Sequence, residues 1–408
     1  MRDSGHNYIG LDIGTTNVRC VVGMDDSRDS SKISVIGFGM SKNIGMRKGA
    51  VVHINEAAEA IIQALSETER LCGFPVHSAT VNINGAHVTG MNSQGVIAIS
   101  SANRVITEDD RARVEEAASI IQLPPNREII QIFPKNYHLD GQENIKDPVG
   151  MSGVRLEVDT HIVSASTPSL KNLDSALEKA QLHPAHHTIS GLAAAEAVLN
   201  RQQKESGTVV LDIGAGTTNL AVIEDGEVQY VSILPIGGIN ITNDLAIGLK
   251  TDLDIAEKVK LEYASLKKGI IKKEGIKFKV KDQNYTFKAS EVDMITEARV
   301  EELFEYVDDE LKKISRSRKL PGGVVIVGGT ANLPGIAEFA KEKLQLAARI
   351  GKLQSISGLV DKVEDPGYAT AIGLMMLDML IPPNEMNNPK NMHNKTFDFA
   401  RTFINRFK

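Results

Sequence analysis

The chain has 408 residues, 42% of them hydrophobic and 24% charged, with a formal net charge of −6 and a mean hydropathy of −0.14. That length exceeds one ordinary core and predicts two lobes of similar size, while the acidic balance argues against non-specific nucleic-acid binding, which needs a basic face. Two cysteines, Cys20 and Cys72, each within an apolar stretch, give no support to a disulfide framework and favour a reducing cytoplasm, and no apolar run approaches the roughly 18 residues of a spanning helix.

Tyr8-Ile9 leads into Leu11-Asp12-Ile13-Gly14-Thr15-Thr16-Asn17 and a second apolar run, Val18 to Val22. This reads as a β-hairpin with glycine and threonine at its tip. A turn-rich stretch (Asp25 to Lys32) and a strand (Ile33 to Phe38) follow, then an amphipathic helix over Asn55 to Cys72 with Ala57, Ile61, Ile62, Leu65 and Leu71 on its apolar face. Strand Ala79 to Ile83 ends at the turn signal Asn84-Gly85. Residues 87–165 read as an insert. It holds an alternating strand (Val96, Ile97, Ile99), a helix opened by Thr107 with Asp109 and Asp110 in its first turn, and strands near Ile129 to Phe133 and Val154 to Val163. A helix over Pro168 to Ala180 precedes the small-residue helix beginning Ile189-Ser190-Gly191.

The hairpin then returns as Leu211-Asp212-Ile213-Gly214-Ala215-Gly216-Thr217-Thr218-Asn219, again between apolar runs. Strands to Pro235 end at Gly237-Gly238, and an inserted helical block spans roughly 240–318, its lysines forming a solvated face. A buried strand, Val324 to Val327, ends in Gly328-Gly329-Thr330, and a helix follows from Pro334 to Leu346.

A glycine-threonine tip brings backbone N–H groups and hydroxyls within reach of a phosphate, since glycine puts no Cβ in the way. An aspartate just before such a turn either holds Mg²⁺, usually through water, or caps the turn. Two such hairpins half a chain apart suggest a duplicated fold that grips a nucleotide from both sides.

Two Asp-Ile-Gly hairpins, a small-residue connecting helix and a Val-Gly-Gly-Thr-Ala strand end resemble the actin/Hsp70/sugar-kinase superfamily. The fold this implies is α/β, a two-lobed actin-like ATPase built from duplicated ribonuclease H-like domains. By the resemblance, ATP with Mg²⁺ is gripped by Asp12, Gly14, Thr15, Thr16 and Asn17 from one lobe and by Asp212, Gly214, Gly216, Thr217 and Thr218 from the other. Asp12 and Asp212 serve the metal through water, and Gly238 lies nearby. Gly328, Gly329 and Thr330 back the adenine, and Glu257 and Lys260 look similar to a pair that touches ribose and base. That pair reads equally as an i, i+3 ion pair on a helix surface. Ser190 stands where active relatives often carry an acid, so slow hydrolysis is expected, with ATP as a conformational or assembly ligand.

The insert's Ile130-Gln131-Ile132-Phe133-Pro134-Lys135-Asn136-Tyr137-His138-Leu139-Asp140, followed by Ile145-Lys146-Asp147-Pro148-Val149-Gly150-Met151-Ser152-Gly153, closely resembles the segment particular to the bacterial cell-division family FtsA. Asn43 to Gly49 also looks like that family's Ser/Arg-Gly-x-x-Lys-Gly loop. The resemblance implies a first lobe (1–86, 166–203 and 363–380) carrying an insert, 1C, at 87–165 used in self-association. It implies a second lobe (204–240 and 319–362) with an insert, 2B, at 241–318 that binds the C-terminal peptide of FtsZ. Arg299 matches a basic position of that surface, and reads equally as an intrahelical partner of Glu301 or Glu302.

Residues 381–395 read as a linker. At roughly 100° per residue, Phe397, Phe399, Ala400, Phe403, Ile404 and Phe407 fall on one arc of the last segment, 396–408. Arg401, Arg406 and Lys408 lie on its polar flank. That pattern predicts a short helix lying on anionic lipid, with docking on the protein's own core as the alternative. The expected job is to tether FtsZ polymers to the cytoplasmic face of the membrane at the division site and recruit other divisome proteins. A pilus-assembly scaffold of the PilM type and a sugar or acetate kinase are the rivals.

Overall fold

The computed structural model describes residues 7–26, 32–267, 275–280 and 283–379. The linker and the tail from 396 lie outside them.

The first hairpin is β1 (Asn7–Ile13) and β2 (Asn17–Asp25), paired from Asn7↔Met24 to Ile13↔Val18. β3 (Ile33–Lys42) continues the meander, and β4 (Met46–Arg47) and β5 (Ala50–Val51) form a small ribbon. Helix α1 (Ile54–Cys72) buries Ala57, Ile61, Ala64, Leu65 and Thr68 and stops at Gly73, whose φ of 83° only glycine adopts freely. Ile62 and Leu71, read above as part of its apolar face, are exposed. β6 (Ser78–Ile83) lies parallel to β1.

The chain next builds a separate sheet from β7 (Thr89–Ala98), α2 (Glu108–Ser119), β8 (Arg127–Leu139), β9 (Gln142–Ile145) and β10 (Arg155–Ser166), in strand order β7-β10-β8-β9. Thr107 caps α2 as its sequence predicts: its hydroxyl accepts from Asp110 N–H, and the Asp110 carboxylate accepts from Thr107 N–H. Val114 and Ala118 of α2 pack on Tyr137, Leu139, Leu156 and Val158.

Helix α3 (Thr167–Lys179) and β11 (His183–Ile189) return to the first sheet, in which these strands run in the order β11-β6-β1-β2-β3. Helices α4 (Ser190–Val198) and α5 (Arg201–Ser206) lead to the second hairpin, β12 (Thr208–Ile213) and β13 (Thr218–Glu224), followed by β14 (Glu227–Leu234). The block 240–318 is not wholly helical. Between α6 (Gly238–Gly248) and α7 (Leu253–Tyr263) on one side and α8 (Ala289–Lys313) on the other sits a hairpin, β15 (Ile276–Val280) and β16 (Gln283–Phe287).

β17 (Gly323–Val327), α9 (Ile336–Leu344) and β18 (Ala348–Ile350) complete the second sheet, order β14-β13-β12-β17-β18. β19 (Ile356–Gly358), α10 (Val360–Val363) and α11 (Ala369–Asp378) return the chain to the first lobe. Both α4 and α11 are buried along their whole lengths. They touch backbone to backbone: a Cβ on Gly373 would lie 1.7 Å from the Ala193 carbonyl oxygen, so only glycine fits there.

Candidate functional site

The two hairpin tips close in the same way. Gly14 N–H donates to Asn17 O at 3.0 Å, and Gly214 N–H to Thr217 O at 2.9 Å. The loop before β4 braces the first tip, with Asn43 Nδ2 donating to Gly14 O at 2.9 Å and Asn43 N–H to Thr16 O at 2.9 Å. The tips face each other across a cavity of about 260 Å³ between the lobes.

Asp12, Gly14, Thr15, Thr16 and Asn17 line it from the first lobe; Asp212, Gly214 and Thr217 from the second; Gly238 from the start of α6; Gly328, Gly329 and Thr330 from the turn after β17. Glu257 and Lys260 line it from α7, and they form the i, i+3 ion pair expected on a helix, at 2.7 Å. Lys260 Nζ further donates to Gly238 O at 3.1 Å and Thr242 Oγ1 at 2.8 Å, fixing α7 to α6.

Gly216 and Thr218 do not line the cavity. Thr218 is buried and donates to Ile236 O at 2.9 Å, a hold on the strand rather than on a ligand. Gly216 sits where the tips meet: a Cβ there would come within 2.8 Å of Thr15 Oγ1.

The sequence reading missed Arg19 of β2, Asn84, and the apolar wall formed by Ile241, Leu261, Leu333 and Pro334. Arg19 stands seven residues past Asp12 (19 − 12) within the strand alternation of β2, the signal that would have found it. Its guanidinium lies 3.9 Å from Asp12 Oδ2 and 5.3 Å from the centre of the Tyr368 ring, and its buried Nε has no hydrogen-bond partner.

Electrostatics mark this cavity. Burial pushes the Asp12 carboxyl up to about 7, with Arg19 opposing and the charge of Asp212 adding to the rise. Burial also raises Asp212, against hydrogen bonds from Thr370 and Asn219. Two buried carboxylates facing one space form a donor set that a divalent cation completes. Among the described residues no group of three or more His, Cys, Asp or Glu side chains gathers as a metal site. Two oxygen donors suit an ion that keeps most of its water, as Mg²⁺ does, better than an all-protein zinc cage.

Ser190 is buried at the start of α4, where its Oγ accepts from Asn82 Nδ2 at 3.0 Å. The carboxylates lining the cavity are Asp12, Asp212 and Glu257. Arg299, on α8, is held by both oxygens of Asp244 on α6, Nη2 to Oδ1 at 3.0 Å, and by Glu302 one turn along. The intrahelical partner expected for it is therefore present, joined by one from another helix. Phe397, Phe399, Arg401, Phe403, Ile404, Arg406, Phe407 and Lys408 lie outside the described residues. No helix among the described residues is long and apolar enough to cross a membrane.

Duplicated sheets, each ending in a hairpin tip over a shared cleft, define the actin-like ATPase fold. Solved structures agree: a PilM-PilN type IV pilus biogenesis complex aligns with a TM-score of 0.66 at 17% identity over 92% of this chain and 99% of that one. MreB5 of Spiroplasma citri bound to ADP aligns at 0.56 and 14% identity, covering 94% and 99%. Within that class the chain belongs to the FtsA family of cell-division proteins. The family model for cell division protein FtsA matches residues 209–373, and that for the SHS2 domain inserted in FtsA matches 85–164. The chain is 37% identical to cell division protein FtsA of Bacillus subtilis over 90% of its length and 82% of the relative's. It is 34% identical to that of Pseudomonas aeruginosa over 91% and 89%, and 31% identical to that of Streptococcus pneumoniae over 97% and 88%.

Proposed function

We propose that this chain binds ATP with Mg²⁺ between its lobes, assembles with copies of itself when it does, and tethers FtsZ polymers to the inner face of the cytoplasmic membrane. The observation that carries the nucleotide reading is the convergence of the Asp12 and Asp212 hairpin tips on one cavity with an apolar wall. The wall suits the flat face of a purine. Thr15, Thr16, Asn17, Ala215 and Thr217 offer N–H groups and hydroxyls to a polyphosphate, and the unpartnered Arg19 Nε adds a cation beside it.

A bound Mg²⁺ supplies the positive charge that lets both buried aspartates ionise together. Hydrolysis is expected to be slow. Ser190 has no proton-accepting charge, Glu257 is tied to Lys260 and Thr242, and Asp12 and Asp212 are given to the metal in this reading, so no further carboxylate lining the cavity is left to activate water. This also weighs against the kinase reading.

Membership of the FtsA family supports FtsZ, copies of this chain and other divisome proteins as partners, at the division site. Arg299 spends three N–H groups on Asp244 and Glu302 and keeps two for an acidic peptide such as the FtsZ C-terminus. The aromatic, basic-flanked pattern of 396–408 supports attachment to anionic lipid. The test is co-sedimentation with anionic liposomes and FtsZ polymers, with and without Mg-ATP, for the full chain and for one ending at 395. The full chain should bring FtsZ down with the vesicles, more so with ATP, and the shortened chain should leave it in solution. Equal recruitment by both would overturn the tether.

A further inference from the structure

Asn82, on β6, was singled out by no sequence pattern, yet every polar atom of its buried side chain is committed to the base of the first tip. Its Oδ1 accepts from Ile13 N–H at 2.7 Å; its Nδ2 donates to Asp12 Oδ1 at 2.7 Å and to Ser190 Oγ at 3.0 Å. A carboxamide has two donor hydrogens and one carbonyl oxygen, so the set is complete. Turning the amide over would face oxygen against the Asp12 carboxylate and NH₂ against the Ile13 N–H.

The parallel ladder between β1 and β6 pairs Gly10↔Thr80 and Leu11↔Val81 and then stops. Where Asp12 would face Asn82, the strands part, and the amide replaces the missing ladder bonds. Asp12 is thus left with one carboxylate oxygen engaged and the other, Oδ2, on the side of Arg19 and the cavity. On the second lobe Asp212 is held instead by the hydroxyl of Thr370 at 3.1 Å and, more loosely, by Asn219 at 3.4 Å.

We propose that Asn82 is a positioning residue for metal-bound nucleotide: it fixes the Asp12 carboxylate so that a single oxygen serves the hydrated cation, and it ties that carboxylate to Ser190 at the head of α4. This rests on the Mg-ATP reading above. Neutrality is essential to the device. An amide orients the aspartate without adding a second negative charge at the site, and partners of this kind typically change metal affinity by roughly 10–100-fold when removed.

The test measures a fluorescent ATP analogue binding to the full chain by anisotropy, once with saturating Mg²⁺ and once with the metal chelated. Asn82→Ala should weaken binding in Mg²⁺ by about 10-fold and leave metal-free binding nearly unchanged. Asn82→Asp, close to isosteric, sets a carboxylate against Asp12 and should widen the gap between the two conditions by weakening the metal-free complex most. A merely structural role would lower both affinities by one factor in both variants. That result, or an unchanged gap, overturns the proposal. If Asn82→Ala does not fold, the Asp variant alone decides. If the unaltered chain binds the analogue in neither condition, the Mg-ATP reading itself fails and takes this one with it.

Discussion

At the scale of single residues, charge burial gives the sharpest expectations. Asp378, at the end of α11, accepts from Ile9 N–H at 2.9 Å and from Thr80 Oγ1 at 2.6 Å, yet burial outweighs both bonds and pushes its carboxyl up to about 6. A carboxyl raised in the folded state binds its proton more tightly there than in the unfolded chain. Its contribution to stability is therefore full below about pH 4 and lost as the pH rises through about 6, worth roughly 3 kcal/mol. Denaturation by urea across pH 4 to 7 should show that loss, and Asp378→Asn should flatten it. Arg299 makes a second case. Its fork on Asp244 joins α8 to α6 and lies about three-quarters buried, so a double-mutant cycle on Arg299 and Asp244 should return a coupling of about 1 kcal/mol. A coupling near zero would mean that the pair is held only by its neighbours.

At the scale of elements, the insert is bonded to both lobes. Gln131 on β8 donates to Thr188 on β11 at 3.0 Å, while on β10 the buried His161 accepts from Val231 N–H of β14 at 3.1 Å. Asn92 Oδ1 faces His161 Nδ1 at 2.8 Å and accepts a hydrogen bond from Lys135 Nζ at 2.9 Å, so Nδ1 carries the hydrogen and Nε2 is the acceptor. Burial and the Lys135 charge push His161 down to about 3. Its neutral form is thus favoured on folding, a contribution present above about pH 6.5 and lost as the pH falls toward 3. Amide exchange offers a direct reading: His161→Ala should speed exchange at Val231 N–H by more than tenfold, the equivalent of about 1.4 kcal/mol or more of local opening, with little change at Val209 in the centre of the second sheet.

Much of this element layer was readable from the chain itself. The hairpins announce themselves through Asp-Ile-Gly between apolar runs, and Thr107 and Asp110 mark the start of α2. β11 was not, because His183-Pro184-Ala185-His186-His187 has neither alternation nor β-branched residues and is a strand only by pairing with β6. The hairpin inside 240–318 was legible in the alternation Ile276-Lys277-Phe278-Lys279-Val280 but was passed over, because the lysines just before it (Lys267, Lys268, Lys272 and Lys273) read as a solvated face of a helical block. In the cavity the turn residues were legible, since backbone geometry restricts which residues fit. Asn82, Arg19 and the apolar wall come from elsewhere in the chain and meet only in three dimensions.

At the scale of the whole molecule, the packing of α4 against α11 limits what the fold tolerates. Gly373→Ala places a methyl carbon inside the Ala193 carbonyl and should cost about 3 kcal/mol or more by forcing α11 off α4; a thermal melt reads it. An unchanged melting temperature would mean that α4 and α11 separate freely. The contact between the tips has a mechanical meaning of its own. Gly216 stands so near Thr15 that a Cβ on the glycine would come within 2.8 Å of Thr15 Oγ1, which leaves the lobes little room to draw together at that point. His161 fastens the insert to β14 of the second lobe, and Thr370 at the start of α11 donates to Asp212. Contacts at the tips, at the insert and at the start of α11 thus restrain together how far one lobe can move against the other.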